Sequence, residues 1–163
     1  MPAPLISKDM NKIEFRGGLA PSLSGRRIEG YAIVFNAESE LMIDGNRYFK
    51  EVILPSAISL QMLNKCDVRA LINHDKSKLL ARWNKGKGSL SLSIDRKGLR
   101  YSFEAPKTAD GDFAVEMVKR GDMDGCSFAF TIEKNGDSWE ALSDGTYLRT
   151  IKKIARITDV TLT

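Results

Sequence analysis

Leu90-Ser91-Leu92-Ser93-Ile94-Asp95-Arg96-Lys97-Gly98-Leu99-Arg100-Tyr101-Ser102-Phe103 alternates apolar and polar residues on both sides of a turn. Leu90, Leu92 and Ile94 would share one face of a strand, and Leu99, Tyr101 and Phe103 one face of the next. Asp95 to Gly98 supplies the turn chemistry, so the stretch predicts a β-hairpin. The same period of two recurs on either side. Ile13 and Phe15 alternate within residues 12–16, and residues 27–35 form a strand apolar enough to be buried on both faces. Residues 68–73 make a third strand, and Phe128, Phe130 and Ile132 mark another. Residues 139–142 and 147–156 read as a hairpin around Ser143-Asp144-Gly145, and residues 158–162 close the chain.

Two helices interrupt the strands. One starts at Thr108 or Asp110 as N-cap and sets Phe113 one turn from Met117 and Ala114 one turn from Val118. It ends on Lys119-Arg120 and stops at Gly121 in a left-handed cap. A weaker one spans residues 55–64 from Pro55 or Ser56, with Ile58 and Met62 one turn apart. No repeat, linker or low-complexity block appears, so the expected architecture is one α+β domain over residues 1–163. It is built on a mainly antiparallel β-barrel or sheet with a few short helices.

Composition agrees with that. With 163 residues, 42% hydrophobic and 28% charged, the chain has enough material for one cored domain and needs no disulfide or metal to fold. No apolar run approaches the ~20 residues that a membrane-spanning helix takes. Residues 1–9 lack a basic head followed by an apolar stretch, so no signal peptide is expected and an intracellular setting is the default. Cys66 and Cys126 have neither CxxC spacing nor a neighbouring histidine, which gives no basis for a disulfide scaffold or a zinc site. The formal charge of +4 is spread along the chain. The local clusters are Lys76, Lys78, Arg82, Lys85 and Lys87, then Arg149, Lys152, Lys153 and Arg156. They fit a solvated face or an anionic partner.

Four residue types could carry chemistry. His74, the single histidine, follows the strand of residues 68–73, whose end delivers an imidazole to the surface. A histidine merely hydrogen-bonded near Asp75 fits the same residues. Ser127 lies in Gly121-Asp122-Met123-Asp124-Gly125-Cys126-Ser127, between a helix cap and an aromatic strand. Such glycines allow the tight approach an exposed nucleophile requires, although a serine satisfying backbone groups at a turn needs no more. Cys126 is a rival nucleophile, but alternation sends it to the apolar face with Phe128. Asp159 interrupts a β-branched run, where an acid is costly unless paired with an imidazole or with a cation such as Arg156.

The motifs together resemble a known family. They are Gly30-Tyr31-Ala32-Ile33-Val34-Phe35-Asn36, Val52-Ile53-Leu54-Pro55-Ser56-Ala57, Leu71-Ile72-Asn73-His74-Asp75, Lys97 to Phe103, Gly125 to Phe130 and Ile157-Thr158-Asp159-Val160-Thr161-Leu162. In this order they resemble the prohead (capsid maturation) serine proteases of tailed phages over most of the chain. The resemblance implies a fold similar to the herpesvirus assemblins and a serine endopeptidase. It makes His74 the base, Ser127 the nucleophile and Asp159 the third member, in place of a Glu that relatives often carry. The assemblins use a second histidine in that role, which a chain with one histidine does not have.

The same resemblance implies action inside a phage procapsid assembled in the host bacterial cytoplasm. The partners would be the major capsid protein with its scaffolding segment and the chain itself as substrate, with no cofactor, no metal and no membrane. Because relatives run on past the closing strand, Thr163 is expected to end a trimmed or self-processed form. Herpesvirus relatives dimerise, which extends the expectation to a homodimer. From another class, a non-enzymatic β-barrel module could bind nucleic acid or capsid protein. It would use Lys85, Lys87, Arg149, Lys152 and Lys153, with Trp83 and Trp139 as stacking platforms.

Overall fold

The computed structural model describes residues 12–163. The expectation about a signal peptide at residues 1–9 therefore lies outside the described residues. Along the chain come β1 (Glu14–Gly17), β2 (Ser22–Ser24), β3 (Arg27–Val34), β4 (Met42–Asp44) and β5 (Arg47–Ile53). A 3-10 turn (Pro55–Ala57) leads to α1 (Leu60–Leu63), then β6 (Asp67–Ile72), β7 (Asp75–Asn84), β8 (Ser91–Ile94) and β9 (Gly98–Glu104). Helix α2 (Ala109–Arg120) precedes β10 (Cys126–Ile132), β11 (Asp137–Ala141), β12 (Tyr147–Ile151) and β13 (Ile154–Leu162).

The strands form three open sheets rather than a closed barrel, ordered β1-β10-β13-β6-β7, β11-β12-β5-β4 and β2-β3-β9-β8. The strands are divided among separate sheets of five, four and four, none of which closes on itself. Most pairings are antiparallel, including the predicted β8–β9 hairpin. Two are parallel, β12 with β5 and β13 with β6. Ile28, Ile33, Leu99, Tyr101 and Phe103 of the β3–β9 sheet share one apolar core with Val68, Ile72, Phe128, Phe130, Val160 and Leu162 of the five-stranded sheet.

Helix α2 forms where its caps place it. The Thr108 hydroxyl accepts the Gly111 N–H at 3.1 Å, and Gly121 closes it at φ 81°. Its inward residues are Gly111, Ala114, Val115, Met117 and Val118, whereas Phe113 faces solvent. The helix expected over residues 55–64 is broken. Ile58 is extended, and Ser59 caps a single turn by accepting the Met62 N–H at 3.1 Å. The strand expected over residues 147–156 is broken too. The Lys152 and Lys153 N–H groups both donate to the Gly136 carbonyl, at 2.7 and 2.9 Å. A side chain at Gly136 would press on the Lys153 carbonyl, so the glycine lets the chain leave one sheet as β12 and enter another as β13.

Candidate active site

The turn between β6 and β7 is only Asn73-His74, with Ile72 paired to Asp75 across it. Both turn residues have positive φ, 49° and 56°, the left-handed pair a two-residue hairpin needs to follow strand twist. Asparagine and histidine tolerate that region better than most side chains, though glycine does so at less cost. The turn is tied to the central strand β13: the Asn73 N–H donates to the Leu162 carbonyl at 2.9 Å. The His74 N–H donates to Thr161 Oγ1 at 2.8 Å.

That anchorage fixes the imidazole between two side chains. His74 Nδ1 lies 2.7 Å from Asp159 Oδ1, and Nε2 lies 3.0 Å from Ser127 Oγ. A carboxylate only accepts, so Nδ1 carries the proton and Nε2 presents its lone pair to the serine hydroxyl. On the outer side the Phe15 ring meets the imidazole edge-on, with centroids 4.6 Å apart.

Ser127 owes its place to the register of β10. Gly125 and Thr163 exchange both backbone hydrogen bonds, at 3.0 and 3.1 Å, and a Cβ at Gly125 would come within 2.5 Å of Thr163 Oγ1. This clamp sets Ser127 opposite Thr161 and Ala129 opposite Asp159. Beyond it, Phe130 pairs with Ile157, so Thr158 is an extra residue. The bulge reverses side-chain parity. Ile157 and Val160 can thus both enter the core while Asp159 and Thr161 keep the face of Ser127.

Asp159 is 8% exposed, and burial raises its carboxyl above the ordinary range, opposed by His74 and Lys76. Its hydrogen-bond partner is His74, not Arg156, which is exposed. Asp75 serves neither residue: its carboxylate accepts the Ser77 N–H and hydroxyl at 2.9 and 2.6 Å in solvent. Cys126 points into the core at 3% exposure, and burial pushes its thiol up to about 12, leaving almost no thiolate at neutral pH. The structure thus gathers His74, Ser127 and Asp159 and turns Cys126 away. A hydroxyl beside an oriented imidazole can be deprotonated as it attacks a carbonyl. Phe15 and Thr161 were not singled out from sequence as parts of this site. Phe15 alternates visibly within its strand, but nothing local links either residue to a histidine far along the chain.

The basic clusters separate into exposed lysines, an exposed Arg156 and the paired arginines Arg82 and Arg149. Arg149 is buried and donates to Glu14 (2.6 and 2.9 Å), Glu51 (3.0 Å) and Asp137 (3.0 Å). Burial works against its charge, but these carboxylates outweigh burial and hold the guanidinium protonated. Arg82 is paired with Asp67 at 2.6 and 2.8 Å. Trp83 is buried, with its indole N–H on the Leu63 carbonyl at 2.9 Å. Trp139 is flanked by the guanidinium groups of Arg47 and Arg149, 5.0 and 5.5 Å from its ring centroid. Burial thus takes Arg149 and Trp83 away from any anionic-partner surface, while Lys85, Lys87, Lys152 and Lys153 stay exposed and Trp139 half-buried.

Among the described residues no helix is long and apolar enough to cross a membrane. The signature of one protein family, described as caudovirus prohead serine protease, matches residues 16–163. No curated protein sequence matches the chain. Among solved structures, the bacteriophage T4 capsid assembly protease has a similar fold, with a TM-score of 0.52 at 12% identity. The match covers 93% of this chain and 96% of that one.

Proposed function

The chain belongs to the caudovirus prohead serine protease family, and from that premise we propose that Ser127, His74 and Asp159 are its nucleophile, base and orienting acid. The observation that carries this is the unbroken series of hydrogen bonds from Asp159 through His74 to Ser127, at 2.7 and 3.0 Å. In it, Ser127 Oγ bonds to a peptide carbonyl carbon while its proton passes to His74 Nε2. The imidazolium, steadied by Asp159, then gives that proton to the departing amine as the C–N bond breaks. Water, deprotonated by the same imidazole, hydrolyses the acyl-serine and restores the hydroxyl.

The proposed substrates are the scaffolding segment of the major capsid protein and the protease chain itself, cut inside the procapsid. One protease domain is proposed to span residues 1–163, with a homodimer as its assembled form. Co-expression with a candidate major capsid protein tests the reading. Wild type should shorten both the capsid protein and itself, and Ser127→Ala should leave both at full length. Cleavage surviving Ser127→Ala would overturn the assignment. A fluorophosphonate probe should label wild type at Ser127.

A further inference from the structure

Gly17 and Gly18 are adjacent glycines with different reasons to be glycine. At Gly18 a side chain would collide with the backbone carbonyls of Tyr31 and Ala32. At Gly17 the backbone is outside the left-handed region, and an added Cβ would meet only the Cys126 carbonyl oxygen, at an ordinary 3.7 Å. Neither backbone nor packing asks for glycine there, and an exposed strand position normally gains from a β-branched side chain. What the missing side chain leaves open is the space beside the nucleophile.

Gly17 pairs directly with Ser127, and Phe15 pairs with Ala129. Alternation along β1 sends Glu14 and Arg16 the other way, into ion pairs with Arg149 and Glu51. The outward face of β1 is therefore a bare position next to the serine and, two residues earlier, an aromatic ring against the imidazole. Phe15 is 52% exposed. A large apolar surface held half in water beside a reactive group is stabilised when an apolar ligand covers it.

Resting on the serine peptidase reading, we propose that this face of β1 is the substrate shelf and selects the substrate. Gly17 leaves a lane by which the substrate's main chain reaches Ser127. Phe15 is the wall of an apolar subsite that takes a hydrophobic side chain close to the scissile bond.

The test compares wild type, Gly17→Val, Gly17→Ala and Phe15→Ser. Each is given a proteome-derived peptide library read by mass spectrometry, a fluorophosphonate label and a thermal unfolding scan. Wild type should be labelled and should cut at sites enriched in apolar residues at one fixed position. Gly17→Val should unfold no earlier than wild type and be labelled at a similar rate. It should lose on the order of a hundredfold or more in peptide cleavage, the scale on which misplaced substrates lose rate. Gly17→Ala should fall between, and it keeps the test alive if valine disturbs the fold. Phe15→Ser should still be labelled but lose the apolar enrichment.

Gly17→Val cleaving the library as wild type does would overturn the proposal, as would a wild-type cleavage pattern without apolar enrichment. So would joint loss of labelling and cleavage in Gly17→Val, because the residue would then act on Ser127 itself. A wild type that takes no label overturns the serine reading, before any β1 variant is compared.

Discussion

His74 pays a backbone cost for its position at φ 56°, and two substitutions expose that cost. Alanine and glycine both remove the imidazole, but only glycine relieves the left-handed backbone. His74→Gly should be more stable than His74→Ala by about 1 kcal/mol in urea unfolding, with both inactive. Asp159 presents the opposite tension. Its raised carboxyl means that the folded protein holds that proton more tightly than the unfolded chain does. Its contribution to stability is present below the ordinary carboxylate range and is lost as pH rises through the raised value. At neutral pH the buried charge is then a net cost. Asp159→Asn should melt no earlier than wild type at pH 7, with any advantage shrinking on acidification. Its turnover should fall by roughly a hundredfold to ten-thousandfold, the range expected when an imidazole loses its orienting acid, and Asp159→Glu should be milder. Iodoacetamide on native protein should leave Cys126 unmodified and activity intact.

At the scale of elements, β1 is held from behind by the ion network and in front touches the imidazole. Arg149→Met would leave Glu51, 4% exposed, and Glu14 to share Arg16 alone, and would take Asp137's guanidinium partner away. Leaving a buried charge wholly unpaired costs about 3–5 kcal/mol, and because Arg16 stays in place the loss should fall below that range, which chemical denaturation should show. In β13, Thr161→Val removes the acceptor of the His74 N–H and should lower both stability, by about 1–2 kcal/mol, and turnover. Thr161→Ser should restore most of each. These elements also show what sequence could convey. Helix α2 was legible because Thr108 and Gly121 are local signals, and the β8–β9 hairpin because its alternation is unbroken. Strand β7 was not, since Lys76, Ser77 and Lys78 intervene between the pairs Ile72–Asp75 and Leu71–Leu79 and destroy the period. In β13 the core residues Ile154, Ile157, Val160 and Leu162 fall at spacings of three, three and two, a pattern that only bulges reconcile with a strand. Asp159 could be singled out because a buried acid demands a partner. Phe15 and Thr161 could not, because their meeting with His74 is made by sheet pairing and not by neighbouring sequence.

For the whole molecule, a fold similar to that of the T4 protease at 12% identity means that very different side chains can specify it. The order here puts β13 at the centre of the five-stranded sheet, flanked by β10 and β6, although it is the last of the described strands in the chain. A ribosome makes the chain from its N-terminus, and domains form in that direction as residues emerge. Until residues 154–162 have emerged, Ser127 and His74 sit on strands with no partner between them, and the acid does not yet exist. A chain halted after Lys153 should therefore take no fluorophosphonate label, while the full chain does. Synthesis thus builds in a delay, because the three side chains cannot meet until β13 has emerged.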